Sequence, residues 1–179
     1  MDSQRFQETL DRINQYGFSK EKGLNRLAFS HAQEEAKNYF ITLLEKEGLT
    51  VKKDAFGNII ARREGRYNDL PAVGVGSHLD TVYNAGSFDG TAGVIGAYEI
   101  IRTLNEEKIK TDHPLELIVF ECEESARFNV ATLGSKVMTG QVSYEDLASL
   151  KDKGGVLLKE AMAEYGYSLK ESLANPRTK

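Results

Sequence analysis

The sequence lacks most of the features that would direct it to a special environment. Its single cysteine, Cys122, cannot form an internal disulfide, and nothing else points to an oxidising compartment. No apolar run approaches the roughly 20 residues needed to cross a membrane. The polar start, Met1-Asp2-Ser3-Gln4-Arg5, is not a signal-peptide core. These absences predict a cytoplasmic protein. A formal net charge of -4 argues against nucleic acid or an anionic membrane as the main partner. Internal repeats and low-complexity tracts are missing. Gly74-x-Gly76 is no dinucleotide fingerprint, because no third glycine opens a helix at the required spacing. Histidine is scarce: there are three, of which only His78 lies in a motif.

What remains is ordinary globular material. The 179 residues are 40% hydrophobic and 28% charged, enough for one good core. Phe6, Leu10, Ile13 and Gly17 predict an amphipathic helix, followed by a loop over residues 18–30 with an N-cap at Ser30. Ala32, Ala36, Tyr39, Phe40, Leu43 and Leu44 predict a second helix, stopped at Gly48. Residues 49–54 and 58–63 read as two strands about Gly57-Asn58. Ala72-Val73-Gly74-Val75-Gly76 suggests a strand buried on both faces. A helix through Val94, Ala97, Tyr98, Ile101 and Leu104 and a strand over Leu115–Phe120 complete a βαβ unit. Ser143 with Asp146 reads as a capping box, and Leu157, Leu158, Ala161, Met162 and Tyr165 mark a last helix. The expected fold is therefore α/β, a mostly parallel sheet with helices on both faces. Residues 1–167 would form the domain and residues 168–179 a polar tail.

Three motifs fall where such a sheet binds ligands, beyond the carboxyl ends of its strands. Gly76-Ser77-His78-Leu79-Asp80-Thr81-Val82 follows one strand, and Glu121-Cys122-Glu123-Glu124 follows another. Phe88-Asp89-Gly90 precedes the intervening helix. An imidazole with carboxylates suits divalent zinc, manganese or cobalt. Asp80, two residues from His78, could accept a hydrogen bond from the imidazole nitrogen that does not face the metal. Of the adjacent Glu123 and Glu124, one could bind metal and the other serve as general base. Each motif also has a plainer reading: a structural hydrogen bond, a turn or helix cap, and an exposed acidic patch. His31 reads as a capping or surface residue, His113 as solvated, and Cys122 as a buried small side chain.

Together these residues resemble the M20 superfamily of metal-dependent aminoacylases and peptidases, and more closely its hydantoinase/carbamoylase branch. That branch comprises N-carbamoyl-L-amino-acid hydrolases and allantoate amidohydrolases. Besides the His78 motif, Phe88-Asp89-Gly90-Thr91-Ala92-Gly93-Val94, Glu123-Glu124-Ser125-Ala126-Arg127-Phe128, Leu133-Gly134-Ser135 and Asp54-Ala55-Phe56-Gly57-Asn58 carry the similarity. Arg127-Phe128 sets this branch apart from the general peptidases.

The resemblance implies that His78 ligates one metal, Asp89 bridges two, Glu124 ligates the second, Glu123 is the general base and Asp80 orients His78. It implies a di-metal amidohydrolase in which a metal-activated water attacks a carbamoyl or amide carbonyl. The substrate would be an N-carbamoyl amino acid or ureido acid. It also implies that further histidine ligands, a dimerisation domain and the rest of the catalytic sheet lie beyond this stretch. Residues 1–167 would then be part of a catalytic domain, weakly active or inactive alone and prone to self-association or complementation by another chain. Two other functions remain open: a non-catalytic binding or assembly module, and an M20 peptidase or aminoacylase.

Overall fold

The computed structural model describes residues 2–174, 176 and 177. Helix α1 (Ser3–Asn14) starts at Asp2, whose carboxylate accepts the amides of Gln4 and Arg5, and it buries Leu10 and Ile13. The expected 18–30 loop contains a small hairpin, β1 (Phe18–Ser19) and β2 (Gly23–Leu24). Helix α2 (His31–Lys46) is capped by the Ser30 hydroxyl, and Gly48 at φ +80° lets the chain turn away. His31 lies in the first turn of α2 with an exposed side chain, as expected.

Strands β3 (Thr50–Lys53) and β4 (Ile59–Arg63) form the expected antiparallel hairpin. Asp54 closes its loop, one carboxylate oxygen accepting the amides of Phe56, Gly57 and Asn58. Strand β5 (Val73–His78), helix α3 (Thr91–Glu106) and strand β6 (Leu115–Phe120) make the βαβ unit, with β5 and β6 parallel. The sheet order is β3-β4-β6-β5.

The α/β class holds, with three corrections. First, the sheet is mixed rather than mostly parallel, because β3–β4 and β4–β6 are both antiparallel. A loop as short as 54–58 can join only antiparallel strands. Second, α1, α2 and α3 pack on one face instead of covering both. Ile59, Ala61, Leu117 and Val119 point into that core and are almost wholly buried. The alternate positions place Arg62 beside Glu116 on the other face, where an open groove runs between the sheet and residues Met138 and Arg177. Third, the Ala72–Gly76 run is not buried on both faces. β5 is an outer strand, with Val73 55% and Val75 42% exposed. Apolar composition alone does not tell a covered strand from an uncovered one.

A second core gathers α4 (Leu133–Met138), α5 (Tyr144–Leu147), α6 (Leu158–Glu164) and α7 (Leu169–Ala174). The Ser143–Asp146 capping box opens α5 as expected. The segment 168–179, expected as a polar tail, contains α7, whose Leu169 and Ser172 are buried. Residues 175, 178 and 179 of that segment lie outside the described ones. Phe29 sits among Phe56, Phe128 and Tyr167, at ring separations of 5.5, 6.3 and 6.2 Å. No described helix is long and apolar enough to cross a membrane.

Lys37 joins the two cores. Its ammonium donates to Glu34 at 2.7 Å, Glu121 at 2.6 Å and the Tyr167 hydroxyl at 2.9 Å, using all three of its donors. Burial alone would discharge it, but Glu121, Tyr167 and Glu34 hold its pKa well above the usual lysine value. Lys37→Met would leave Glu121 buried without its cation and Glu34 with only Lys53, at 3.5 Å. Urea denaturation should show a loss of about 3–5 kcal/mol, and an unchanged midpoint would contradict this role.

Candidate metal centre

Because β5 and β6 run parallel, their carboxyl ends deliver residues to one edge. His78 ends β5 directly beside Phe120, which ends β6. The imidazole is buried, its side chain 9% exposed, and its Nδ1 lies 2.9 Å from the Asp80 main-chain oxygen. A carbonyl only accepts, so Nδ1 carries a hydrogen, and in the neutral ring the Nε2 lone pair faces the cleft. The Asp80 carboxylate, expected to orient this ring, lies farther away, at 3.7 Å. It instead accepts the amides of Glu123 at 3.2 Å and Glu124 at 2.9 Å. Asp80 therefore holds His78 through its backbone and the glutamates through its side chain.

Gly90 explains why a glycine follows Asp89. Its φ is +65°, a region that other residues enter at a cost, and any Cβ there would overlap the His78 ring. The ring rests against the Gly90 backbone, which brings Nε2 to 3.8 Å from an Asp89 oxygen. Asp89 precedes the amino end of the 16-residue α3, whose dipole favours a carboxylate. Its side chain is 77% exposed, so the site opens to solvent.

The glutamate turn is held from behind. Amides of Gly134, Leu133 and Thr132, at and just before the start of α4, donate to the carbonyls of Glu121, Cys122 and Glu123 in turn. Gly134 is required because a Cβ would strike both Glu121 and Asn58. The Asn58 side chain accepts the Glu121 amide at 2.8 Å and donates to Asp54 and Gly134. These contacts give the Asp54–Asn58 and Leu133–Ser135 motifs a mechanical role. Arg127 and Phe128 are also scaffolding. Arg127 donates to the carbonyls of Ala28 and Phe29 and to Asp152, while Phe128 is buried in the second core. Cys122 is buried as expected, and His113 is exposed, with Nδ1 2.7 Å from the Pro71 carbonyl.

The expected ligands do meet. One ligand atom from each of His78, Asp89 and Glu124 lies within 4.8 Å of the others, and Glu123 approaches His78 Nε2 to 3.5 Å. Burial raises the Glu124 pKa against the pull of His78, and the Asp89 and Glu123 carboxylates raise it further. Burial likewise raises Asp80, with Glu121 adding to the rise and His78 and the two amides opposing it. Crowded carboxylates beside an imidazole whose Nε2 faces them are the donor set a divalent cation neutralises. The residues present fit such an ion.

An α/β sheet with this set at its carboxyl edge defines a candidate metal centre. The family model described as peptidase family M28 matches residues 58–170, and the chain belongs to that family. An uncharacterized hydrolase from Haemophilus influenzae is 53% identical over 80% of this chain and 35% of its own length. An N-carbamoyl-L-amino acid amidohydrolase from Geobacillus stearothermophilus is 39% identical over 91% of this chain and 40% of its own. Among solved structures, a hydantoinase/carbamoylase family amidase from Burkholderia ambifaria superposes with a TM-score of 0.88 at 37% identity, covering 94% of this chain and 42% of that one. The matched model is M28, whereas the motifs resemble the M20 superfamily; the named relatives bear out the hydantoinase/carbamoylase resemblance. The chain spans about two fifths of the length of these relatives.

Gly90→Ala tests the seat of the imidazole. Strain at φ +65° should cost about 1–3 kcal/mol in urea denaturation. Displacement of His78 should also weaken zinc binding by about tenfold, roughly 1.4 kcal/mol. Zinc affinity equal to that of the unsubstituted chain would contradict the Gly90 assignment.

Proposed function

We propose that the chain carries part of the centre of a metal-dependent hydrolase of linear amide C–N bonds, of the N-carbamoyl-L-amino-acid or allantoate type. The observation that supports this most is the meeting of His78, Asp89 and Glu124, with His78 held so that Nε2 faces the carboxylates. In this reading residues 1–167 are a partial catalytic α/β domain. The site would take two ions of zinc or manganese, with cobalt a third candidate, and His78, Asp89 and Glu124 would hold them. When bound, such ions polarise a carbonyl and bring the pKa of a water toward neutrality.

The chain's residues supply the remaining chemistry. Glu123, partly exposed beside His78, takes a proton from the attacking water and returns it to the leaving nitrogen. Asp80 orients Glu123 and His78 at once. The exposed side of Asp89 gives a small ureido or carbamoyl substrate its entry. The single free Cys122 fits a cytoplasmic setting.

Three side chains shared between two ions would leave each with at most two protein groups, fewer than the three of an ordinary catalytic zinc site. That observation also favours a second reading, a binding or assembly module with little turnover of its own. The uncovered β5 edge, where Val73 and Val75 are exposed, supports self-association with a second copy. Sedimentation at increasing concentration should show dimers, and a monomer throughout would oppose that element of the reading.

The chain should be purified, titrated calorimetrically with zinc and manganese, and assayed for ammonia release from N-carbamoyl amino acids and allantoate. Weak, reversible binding and slow release are expected. In a full-length context Glu123→Gln should keep the metal and reduce release by about 100-fold or more. Cleavage of N-acyl amino acids or dipeptides instead would favour an aminoacylase or peptidase. Metal binding unaffected by His78→Ala would contradict the site, and tight binding of two ions with fast turnover would show that further ligands come from elsewhere.

A further inference from the structure

Arg26 lies in the segment between the β1–β2 hairpin and α2, outside every motif, and is completely buried. Its five guanidinium hydrogens all have acceptors. Nε donates to the Leu79 carbonyl at 2.6 Å, and Nη1 to the carbonyls of Ile13 at 2.9 Å and Tyr16 at 3.1 Å. Nη2 donates to the Thr91 hydroxyl at 2.9 Å and to the Asn14 side chain at 3.4 Å. The backbone adds a reciprocal pair, with the Arg26 amide donating to the Thr81 hydroxyl and the Thr81 amide to the Arg26 carbonyl. Burial lowers the Arg26 pKa to about 10, with Asp80 opposing the fall, so the group stays charged at neutral pH.

These acceptors are not scattered. Leu79 directly follows His78, and Thr91 stands two residues after Asp89. Asn14, held by the same guanidinium, also donates to the Ser87 carbonyl at 2.8 Å, two residues before Asp89. One planar cation therefore grips the strand end carrying the imidazole and reaches both sides of the Asp89 loop. We propose that Arg26 is a positioning residue that sets the separation of His78 from Asp89. It touches neither ligand, and acts through Leu79 on one side and through Thr91 and Asn14–Ser87 on the other. A rigid fork with five donors suits this task, whereas a lysine ammonium has three donors at one point.

The assignment rests on the metal-site reading for its consequence but not for its geometry, so the test has two independent readouts. In the metal-free protein, the nuclear Overhauser contact between the His78 ring and the Gly90 α-protons reports the seating of the imidazole. In titrations, the zinc Kd reports ligand spacing. Because Arg26→Met could unfold the chain, the primary variant is Thr91→Val, which removes one acceptor and keeps the shape. It should weaken the His78–Gly90 contact and raise the zinc Kd about tenfold, while Thr91→Ser, which keeps the hydroxyl, should stay within twofold of the starting protein. Asn14→Ala should move both readouts in the same direction, and Arg26→Lys should not preserve them. Folded Thr91→Val and Asn14→Ala proteins with unchanged contact and Kd would overturn the proposal. If the unsubstituted chain binds no zinc, the functional reading fails, and the His78–Gly90 contact still decides the role of Arg26.

Discussion

Asp80 is the point through which the two strand ends are held in register. It is completely buried. Its main-chain oxygen fixes the His78 tautomer, and its carboxylate oxygens take the amides of Glu123 and Glu124. The parallel pairing of His78 with Phe120 brings the two loops within reach, and Asp80 converts that proximity into a defined arrangement. A buried carboxylate is costly unless its oxygens are satisfied, and here its hydrogen bonds lie on the segment that needs holding. Arg26 and Gly90 complete the construction from the Asp89 side.

The rest of the fold braces that edge. The first core places α1, α2 and α3 against one face of the sheet, and the burial of each large aliphatic residue there contributes roughly 1.5–3 kcal/mol. The second core packs α4 and its neighbours behind the glutamate turn, where amides at and just before the start of α4 occupy three successive carbonyls. Lys37 connects the two through Glu121, two residues before Glu123. Stability and site geometry therefore share residues, so substitutions at Lys37 or Asn58 affect the site without touching a ligand.

Much of this was legible in the sequence, and the limits follow from what each signal encodes. Helical periodicity located α1, α2, α3 and α6, and Leu115–Phe120 matched β6, because these elements bury one regular face. The convergence of His78, Asp89 and Glu124 followed from placing each motif beside a strand or helix end. Strand direction and covering did not follow. Residues 72–76 look alike whether covered or at an edge, and the alternation of Ile60, Arg62, Glu116 and Ile118 with the core residues becomes informative only once β4 and β6 are known to pair. α7 was hidden by a polar segment whose contacts come through Leu169 and Ser172. Arg26 gave no local signal, since its five acceptors come from α1, the segment just after it, the end of β5 and the start of α3. The roles of Gly90 and Gly134 were signalled only as glycines inside motifs; the close approach that demands them is a property of the folded chain.

The central claim is that His78 Nε2, Asp89 and Glu124 together form one centre for divalent metal. Anomalous diffraction at the zinc edge from crystals of the zinc-loaded chain tests it most directly. The predicted result is anomalous density among these three side chains, with His78 coordinating through Nε2 and its Nδ1 still on the Asp80 carbonyl. A peak on other residues, or coordination through Nδ1 with the Asp80 contact broken, would contradict it.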